Sequence, residues 1–539
     1  MHNSGEDNKI HLRMQTVLNR VDELAQVDTS NRAVAWLERT AFVFLILMAI
    51  FAPHSIAATQ TAWLIGMAAW IVRLFFRPRV QFRFTWLDAA LWGFFAWSVL
   101  TSLTSYAPDI SINKLRGAAI FLIFYFVYYN VRSRGAAHLV AFALIASCMI
   151  NVLWMPVQRL IGRGVEIHGV AEEGPLRKAL LAEGDTLLEA HGAKLRTPED
   201  VVAAIEKNEI TKIKFYRPDF DFVVEVRLAD LLPGATANER LGITSWERSH
   251  NWRSSGFYGH YTTYADVLQL IASLVLGLFV ALVRFSWPGG QNGRSGKPET
   301  QNWLSFSRFY QSPLLQLIFL FCLAAMSLAL LLTVTRGPQL AFLISGAVIV
   351  LIGLGRKWLF VAFAIALPLA LVGILFLQQS REVGFFDTGD DSVKWRQTVW
   401  REGSDLWTES PRHFIFGVGM DSIKRHAADW HLFDDGRLPM GHFHSTPLNL
   451  VVERGLPALL LWLLVLGIYA RSLWRGVRSE DPKLKIGDPI SIGILLGCLG
   501  GTIGFFVSGL VHYNLGDQEV AMVFFLLMGT GRKLMITDS

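Results

Sequence analysis

Residues 314–355 read LLQLIFLFCLAAMSLALLLTVTRGPQLAFLISGAVIVLIGLG. Two apolar runs, each near the ~20 residues that a helix needs to cross a bilayer, flank a turn of a few residues that contains Arg336. Runs of this kind recur at 36–54, 57–76, 86–104, 115–131, 136–160, 262–285, 314–334, 338–355, 357–378, 447–470, 487–511 and 517–534. The expected fold is therefore an all-α polytopic membrane protein of about twelve transmembrane helices. Composition agrees. Of 539 residues, 52% are hydrophobic and 17% charged, against about 25% charged in soluble chains, which excludes an ordinary soluble protein. The net charge of +6 comes from basic residues lying between apolar runs, a membrane-surface pattern rather than a nucleic-acid footprint. Cys148, Cys322 and Cys498 fall inside apolar stretches, so no disulfide or zinc framework is legible.

Every second short connection is basic: Arg73, Arg77, Arg79 and Arg83; Arg132 and Arg134; Arg284, Arg294, Lys297 and Arg308; Arg356 and Lys357; Arg471, Arg475, Arg478, Lys483 and Lys485. Loops between them, such as SYAPDISIN and VHYNLGD, carry almost no positive charge. By the positive-inside rule the basic side is cytoplasmic, which puts both termini there, with Arg532 and Lys533 closing the last span. The polar start of the chain excludes a cleavable signal peptide of the usual form. Ile10, Met14, Val17, Leu18, Val21 and Leu24 fall at helical spacing, as in an amphipathic surface helix or a solvated one.

This alternation predicts a cytoplasmic segment at 1–35, five helices over 36–160, a periplasmic insert at 164–231, a periplasmic linker and helices six to nine over 232–378, a large periplasmic loop at 379–446, and three helices with a cytoplasmic tail over 447–539. Within the insert, DTLLEAHG, KIKFYR and FVVEVRL read as strands, and TPED opens an amphipathic helix with Thr197 as its N-cap. This order resembles a small PDZ-like α+β domain, although no glycine-rich loop of the kind that grips a peptide carboxylate precedes its first strand. A protein partner or acceptor held through the insert and a plain spacer are both open. In the second loop, Trp395, Trp400 and Trp407 lie near helical spacing with Val399 and Leu406, so a helix following Asp391 is expected to pack its aromatic face.

Four polar motifs sit at span ends on the expected periplasmic side: WRSSGFYGHYTTYA around Arg253, TVTRGPQLAF around Arg336, DSVKWRQTVWREG around Arg396, and GHFHSTPLNLVVERGLPA around His444. Arg336 is the sharpest of these. A guanidinium at the membrane edge on the side that should lack positive charge is costly unless it snorkels to lipid phosphate or meets another anion.

The strings SSGFYGHYTTYADVLQL, TRGPQLAF, WRQTVWREGSDLWTESPRHFIFGVGMDSIK and HSTPLNLVVERGLPALLLWLL, in this order, resemble the O-antigen ligase and polymerase superfamily of bacterial inner-membrane glycosyltransferases. The resemblance implies transfer of a glycan from a polyprenyl-diphosphate carrier to an acceptor hydroxyl at the periplasmic face of the inner membrane, without a metal or other cofactor. On that reading Arg253, Arg336 and Arg396 are diphosphate ligands, since arginine forks neutralise the charge that grows on a departing diphosphate. His444, directly before a span, is the candidate general base for the acceptor hydroxyl. Glu453 either orients a partner or the acceptor, or forms a structural salt bridge with Arg454 or with an arginine of the outer face. Tyr258, His260 and Tyr264 either line the sugar or carrier pocket or belong to an interfacial aromatic belt.

The acceptor remains open among a lipid A core, a growing polymer and a protein hydroxyl, with a surface-polysaccharide ligase or polymerase ranked before protein O-glycosylation. Two rival readings are weighed. His426, His431, His442 and His444 with Asp434 and Asp435 offer metal-ligand atoms, but in no recognised spacing. A transporter or flippase of a lipid-linked sugar fits the span count, but no repeated halves are evident.

Overall fold

The computed structural model describes residues 15–16, 18–217, 220–250, 252–286, 313–364, 368, 391–438, 441–478 and 488–535. Among these residues, eight helices are long and apolar enough to cross a membrane: Arg32–Phe51, Pro108–Asn130, Arg134–Ile161, Tyr261–Ser286, Pro313–Leu332, Arg336–Gly353, Thr446–Arg478 and Pro489–Gly509. The protein is thus a multi-pass membrane protein. Three further helices, Ile56–Arg73, Trp86–Leu103 and Gln518–Leu534, of 18, 18 and 17 residues, occupy the second, third and last expected runs without meeting that length and apolar composition together. Of the ninth run, 356–364 are helical and most of the remainder lies outside the described residues, so among the described residues eight of the twelve expected runs form helices of that length and composition. Of the expected N-terminal helix, residues 18–25 are helical and 1–14 lie outside the described residues.

The chain divides into two compact units, one of which comprises 1–151, 257–373 and 386–539 and is helical. Its centre is a contact between Tyr261–Ser286 and Pro489–Gly509, made possible by glycine. A Cβ on Gly277 would lie 2.3 Å from the backbone nitrogen of Gly497, so only glycine lets the two backbones approach this closely, as small residues do between membrane helices. Gly504 packs on Gln269, Gly497 on Leu274 and Gly493 on Leu278, so the two helices run antiparallel. Gly346 packs on Leu276 and Gly353 on Val280, which sets Arg336–Gly353 parallel to Tyr261–Ser286. The consequence is geometric: the starts of Tyr261–Ser286 and Arg336–Gly353 and the end of Pro489–Gly509 meet at one end of the bundle.

The helix Asp391–Thr408 buries Val399 and Leu406 in a cluster with Val418, Phe433, Phe443, Val451 and Val452, while Trp395 and Trp407 pack against it. The long helix Thr446–Arg478 breaks at Gly455, where φ is +74° and Pro457 follows.

The second unit lies within residues 152–256. Strands β1 (Arg163–His168), β2 (Thr186–Ala190), β3 (Ala193–Lys194), β4 (Ile210–Arg217), β5 (Phe220–Arg227) and β6 (Ser245–Ser249) form an antiparallel sheet in the order β5-β4-β2-β1-β6, with β3 paired to β2. The three expected strands are β2, β4 and β5, and β6 adds an edge beyond residue 231. Thr197 caps the helix Pro198–Glu206 by accepting from the Asp200 N–H at 3.4 Å, as its sequence predicts. Alternating residues of the strands and the apolar face of this helix enclose Val165, Ile167, Leu187, Val201, Ile205, Ile213, Phe215 and Val226. The buried carboxylate of Asp185 takes two bonds from Arg217, at 2.8 and 2.7 Å.

Candidate functional site

His444 sits in the short approach to Thr446–Arg478. Its backbone is in the left-handed region, with φ +47°. The neighbouring groups hold it there: Phe443 N–H donates to Asn449 Oδ1 at 3.3 Å, Trp400 Nε1 donates to the Phe443 carbonyl at 2.8 Å, and the Thr446 N–H donates to the His512 carbonyl at 3.0 Å. The imidazole packs edge-on against Trp395, with centroids 4.4 Å apart, and lies 4.1 Å from the ring of His442, which in turn is 5.7 Å from Tyr513.

Burial first, then the charges of His442 and Arg396, push the pKa of His444 down to about 2, with smaller contributions from His512 and His260. His442 is pushed down to about 4 by burial, Lys424 and His512. Both imidazoles are therefore neutral at pH 7. The same influences show that His260, Arg396, His442, His444 and His512 share one locality. His512 also approaches Asp266, with Nδ1 3.4 Å from Oδ2, an ion-pair distance without hydrogen-bond geometry.

Arg336 joins this group through its turn. It is the first residue of its helix, after Val334 at φ +53°, and a Cβ on the adjacent Gly337 would lie 3.3 Å from His512 Cε1. Arg396, half-buried on Asp391–Thr408, has its guanidinium 5.9 Å from the Trp395 ring that touches His444. Thus His260, Arg336, Arg396 and His444, separated by up to 184 residues in sequence, are gathered at one end of the bundle.

Arg253 belongs to the sheet unit, where its backbone N–H donates to the Tyr216 hydroxyl at 3.3 Å. Tyr258 and Tyr264 are enclosed, at 7% and 1% exposure, with the Tyr258 hydroxyl donating to the Ala52 carbonyl at 2.5 Å. Glu453 is buried at 2% and accepts from the Asp421 N–H at 3.1 Å and the Tyr513 hydroxyl at 3.3 Å, with Arg454 at 3.9 Å. Burial raises the Asp421 carboxyl, but Lys114 at 2.9 Å and Lys424 at 3.1 Å outweigh it and hold the group below its usual range.

His512, Tyr513, Asp421, Lys114 and Lys424 were missed from sequence. VHYNLGD was read only for its lack of positive charge, although a His-Tyr pair beside a span end was already in view there. The histidines of the rival metal set are dispersed: His426 Nδ1 pairs with Asp429 and His431 Nδ1 with Asp435, each at 2.8 Å. Among the described residues, the group with metal-ligand spacing is Glu166, His168 and Glu247, on the sheet.

No curated protein matches the chain. Residues 321–463, which contain Arg336, Arg396, His444 and Glu453, match the family model described as O-Antigen ligase, so over this segment the chain is similar to the O-antigen ligases.

Proposed function

We propose that the protein transfers a glycan from a polyprenyl-diphosphate carrier to an acceptor hydroxyl at the periplasmic face of the bacterial inner membrane, with both termini cytoplasmic. The observation that carries this reading is that Arg396 acts on the neutral imidazole of His444 while Arg336 opens the helix whose Gly337 meets His512 at the same end of the bundle. Arg336 opens a helix, so its guanidinium adds to the positive end of that helix dipole, an arrangement suited to an anion at the membrane edge.

In the reaction, the acceptor oxygen bonds to the anomeric carbon while the bond from that carbon to the diphosphate oxygen breaks. The electron pair leaves on the diphosphate, where the arginine forks neutralise it, and the hydroxyl proton passes to His444. An imidazole held near pKa 2 is too weak a base by itself. A phosphate charge at roughly 5 Å, with an effective dielectric constant near 20, contributes about 3 kcal/mol, or a few hundredfold in proton affinity. Donor binding also pairs Arg396, removing part of its influence on His444. The donor thus switches on the base that its own transfer needs. No step calls for a metal or another cofactor.

The acceptor is a lipid A core or a growing surface polysaccharide, with a protein hydroxyl ranked second. The role of Arg253 rests on its motif alone. The sheet unit is assigned as a PDZ-type module that serves acceptor choice or assembly, because β2, the helix Pro198–Glu206, β4 and β5 follow in the expected order. To test the reading, purified protein is incubated with a polyprenyl-diphosphate oligosaccharide and a panel of these acceptors, and products are identified by mass. Glycosylated acceptor together with free polyprenyl diphosphate is expected. Carrier movement across vesicles with no new glycosidic bond would instead establish a flippase.

A further inference from the structure

His442 and His444 form an H-x-H pair, yet their contact is not that of two metal ligands. The backbone N–H of His444 donates to Nδ1 of His442 at 3.1 Å. We propose that His442 is the positioning residue of the site: by accepting this N–H, it holds residue 444 in the left-handed conformation that presents the His444 ring to the reacting centre. The inference rests on the reading of His444 as the base.

A non-glycine residue in the left-handed region gives up roughly 1–2 kcal/mol relative to the ordinary helical or extended conformations, so the local backbone must be held by its surroundings. At Phe443 and Thr446 the holding groups come from Asn449, Trp400 and His512, and these three bonds are made to the residues on either side of 444 rather than to residue 444 itself. At residue 444 the acceptor is the side chain two positions earlier. That side-chain-to-backbone spacing is the one that Asn and Asp use in an Asx-turn, where a short polar side chain takes the N–H two residues on. Histidine does the same here through Nδ1.

Two consequences follow from the donor. Because the N–H donates, Nδ1 must carry a lone pair, so the His442 proton resides on Nε2 and the ring is neutral. A protonated His442 would set Nδ1–H against the His444 N–H and release the turn. The lone pair is also unavailable to a metal, which removes His442 Nδ1 from any ligand set.

The role separates from a plain packing role by substitution. Asparagine at 442 restores an acceptor for the N–H two residues ahead, whereas phenylalanine keeps a ring of similar size and offers none. Full-length wild type, H442N and H442F are purified in detergent, confirmed as monodisperse, and compared by kcat and donor KM and by hydrogen–deuterium exchange of the peptide containing the His444 amide. H442N is expected to keep kcat within about threefold and to retain amide protection, while H442F loses about tenfold or more in kcat at nearly constant donor KM and exchanges correspondingly faster. Wild-type kcat in H442F overturns the proposal. So does an H442N as impaired as H442F, since that result assigns the effect to Nε2 and direct substrate contact. If wild type itself transfers no glycan, the functional reading falls, and exchange alone decides the positioning role: an amide still protected in H442F contradicts it. Should H442F fail to fold, H442L supplies the same loss of acceptor.

Discussion

The backbone N–H of Asp421 donates to Oε1 of Glu453 at 3.1 Å, across 32 residues of chain. Glu453 thereby ties the loop after Gly419 to the helix that follows His444, and its second oxygen accepts from Tyr513 at 3.3 Å. Replacement by alanine leaves both donors without this acceptor in the interior, at about 1–3 kcal/mol for each unsatisfied group. E453A is expected to lower the thermal midpoint in detergent markedly and E453Q much less, because glutamine keeps one acceptor oxygen. An E453A midpoint equal to that of wild type would remove Glu453 from this structural role.

Gly455 fails twice on any substitution. Its φ of +74° lies in the region that glycine tolerates, and a Cβ there would come 1.8 Å from the Ile415 carbonyl oxygen. G455A is expected to cost roughly 1–3 kcal/mol from backbone strain, plus the displacement of Ile415. G467A, on the same helix with open space around its Cβ, serves as the neutral control. Thermal midpoints of the two variants check the contrast, and equal midpoints contradict it.

The buried histidines make stability depend on pH. The ordinary histidine value is 6.5, and the folded values of His442 and His444 are pushed down to about 4 and about 2 by burial and nearby positive charge. Below pH 6.5 the unfolded chain takes up protons that the folded protein refuses, so stability is intact above that point and falls as pH drops toward 4 and then 2. The melting temperature is expected to decline from pH 7 to pH 5, and less steeply in H444N. An unchanged slope in H444N counts against the buried neutral ring.

Much of this arrangement was written locally and some of it was not. The apolar runs, the Thr197 cap and the aromatic face after Asp391 depend on residues within a few turns of one another, so pattern alone located them. The antiparallel crossing that brings His260 and His512 to one end depends on Gly277 meeting Gly497, 220 residues away, and no local period encodes that. The same limit explains Tyr258 and Tyr264: their motif marked a span end, but only packing shows that both rings are enclosed. Glu453 was considered as an orienting group or a salt-bridge partner, and its principal bonds go to Asp421 and Tyr513.

Arg336 and Arg396 are expected to act as forks rather than as simple charges. R336K and R396K keep the charge but lose paired, planar donors, and each should lower kcat/KM for the donor by about tenfold or more with membrane insertion unchanged. Kinetics on the purified variants check this, and full turnover in R336K would leave that residue as a lipid anchor.

Chelation separates the proposed chemistry from a metal-dependent one. Prolonged treatment with EDTA followed by gel filtration is expected to leave turnover unchanged, since proton transfer is assigned to His444 and charge neutralisation to arginine. Loss of activity that returns on adding a divalent cation would reverse that assignment.

The most direct test compares wild type with H444A, both purified and monodisperse, for release of free polyprenyl diphosphate coupled one-to-one to acceptor glycosylation. Wild type is predicted to yield both products in equal amounts and H444A neither above background. Equal rates in the two proteins would contradict the assignment of His444 as the base.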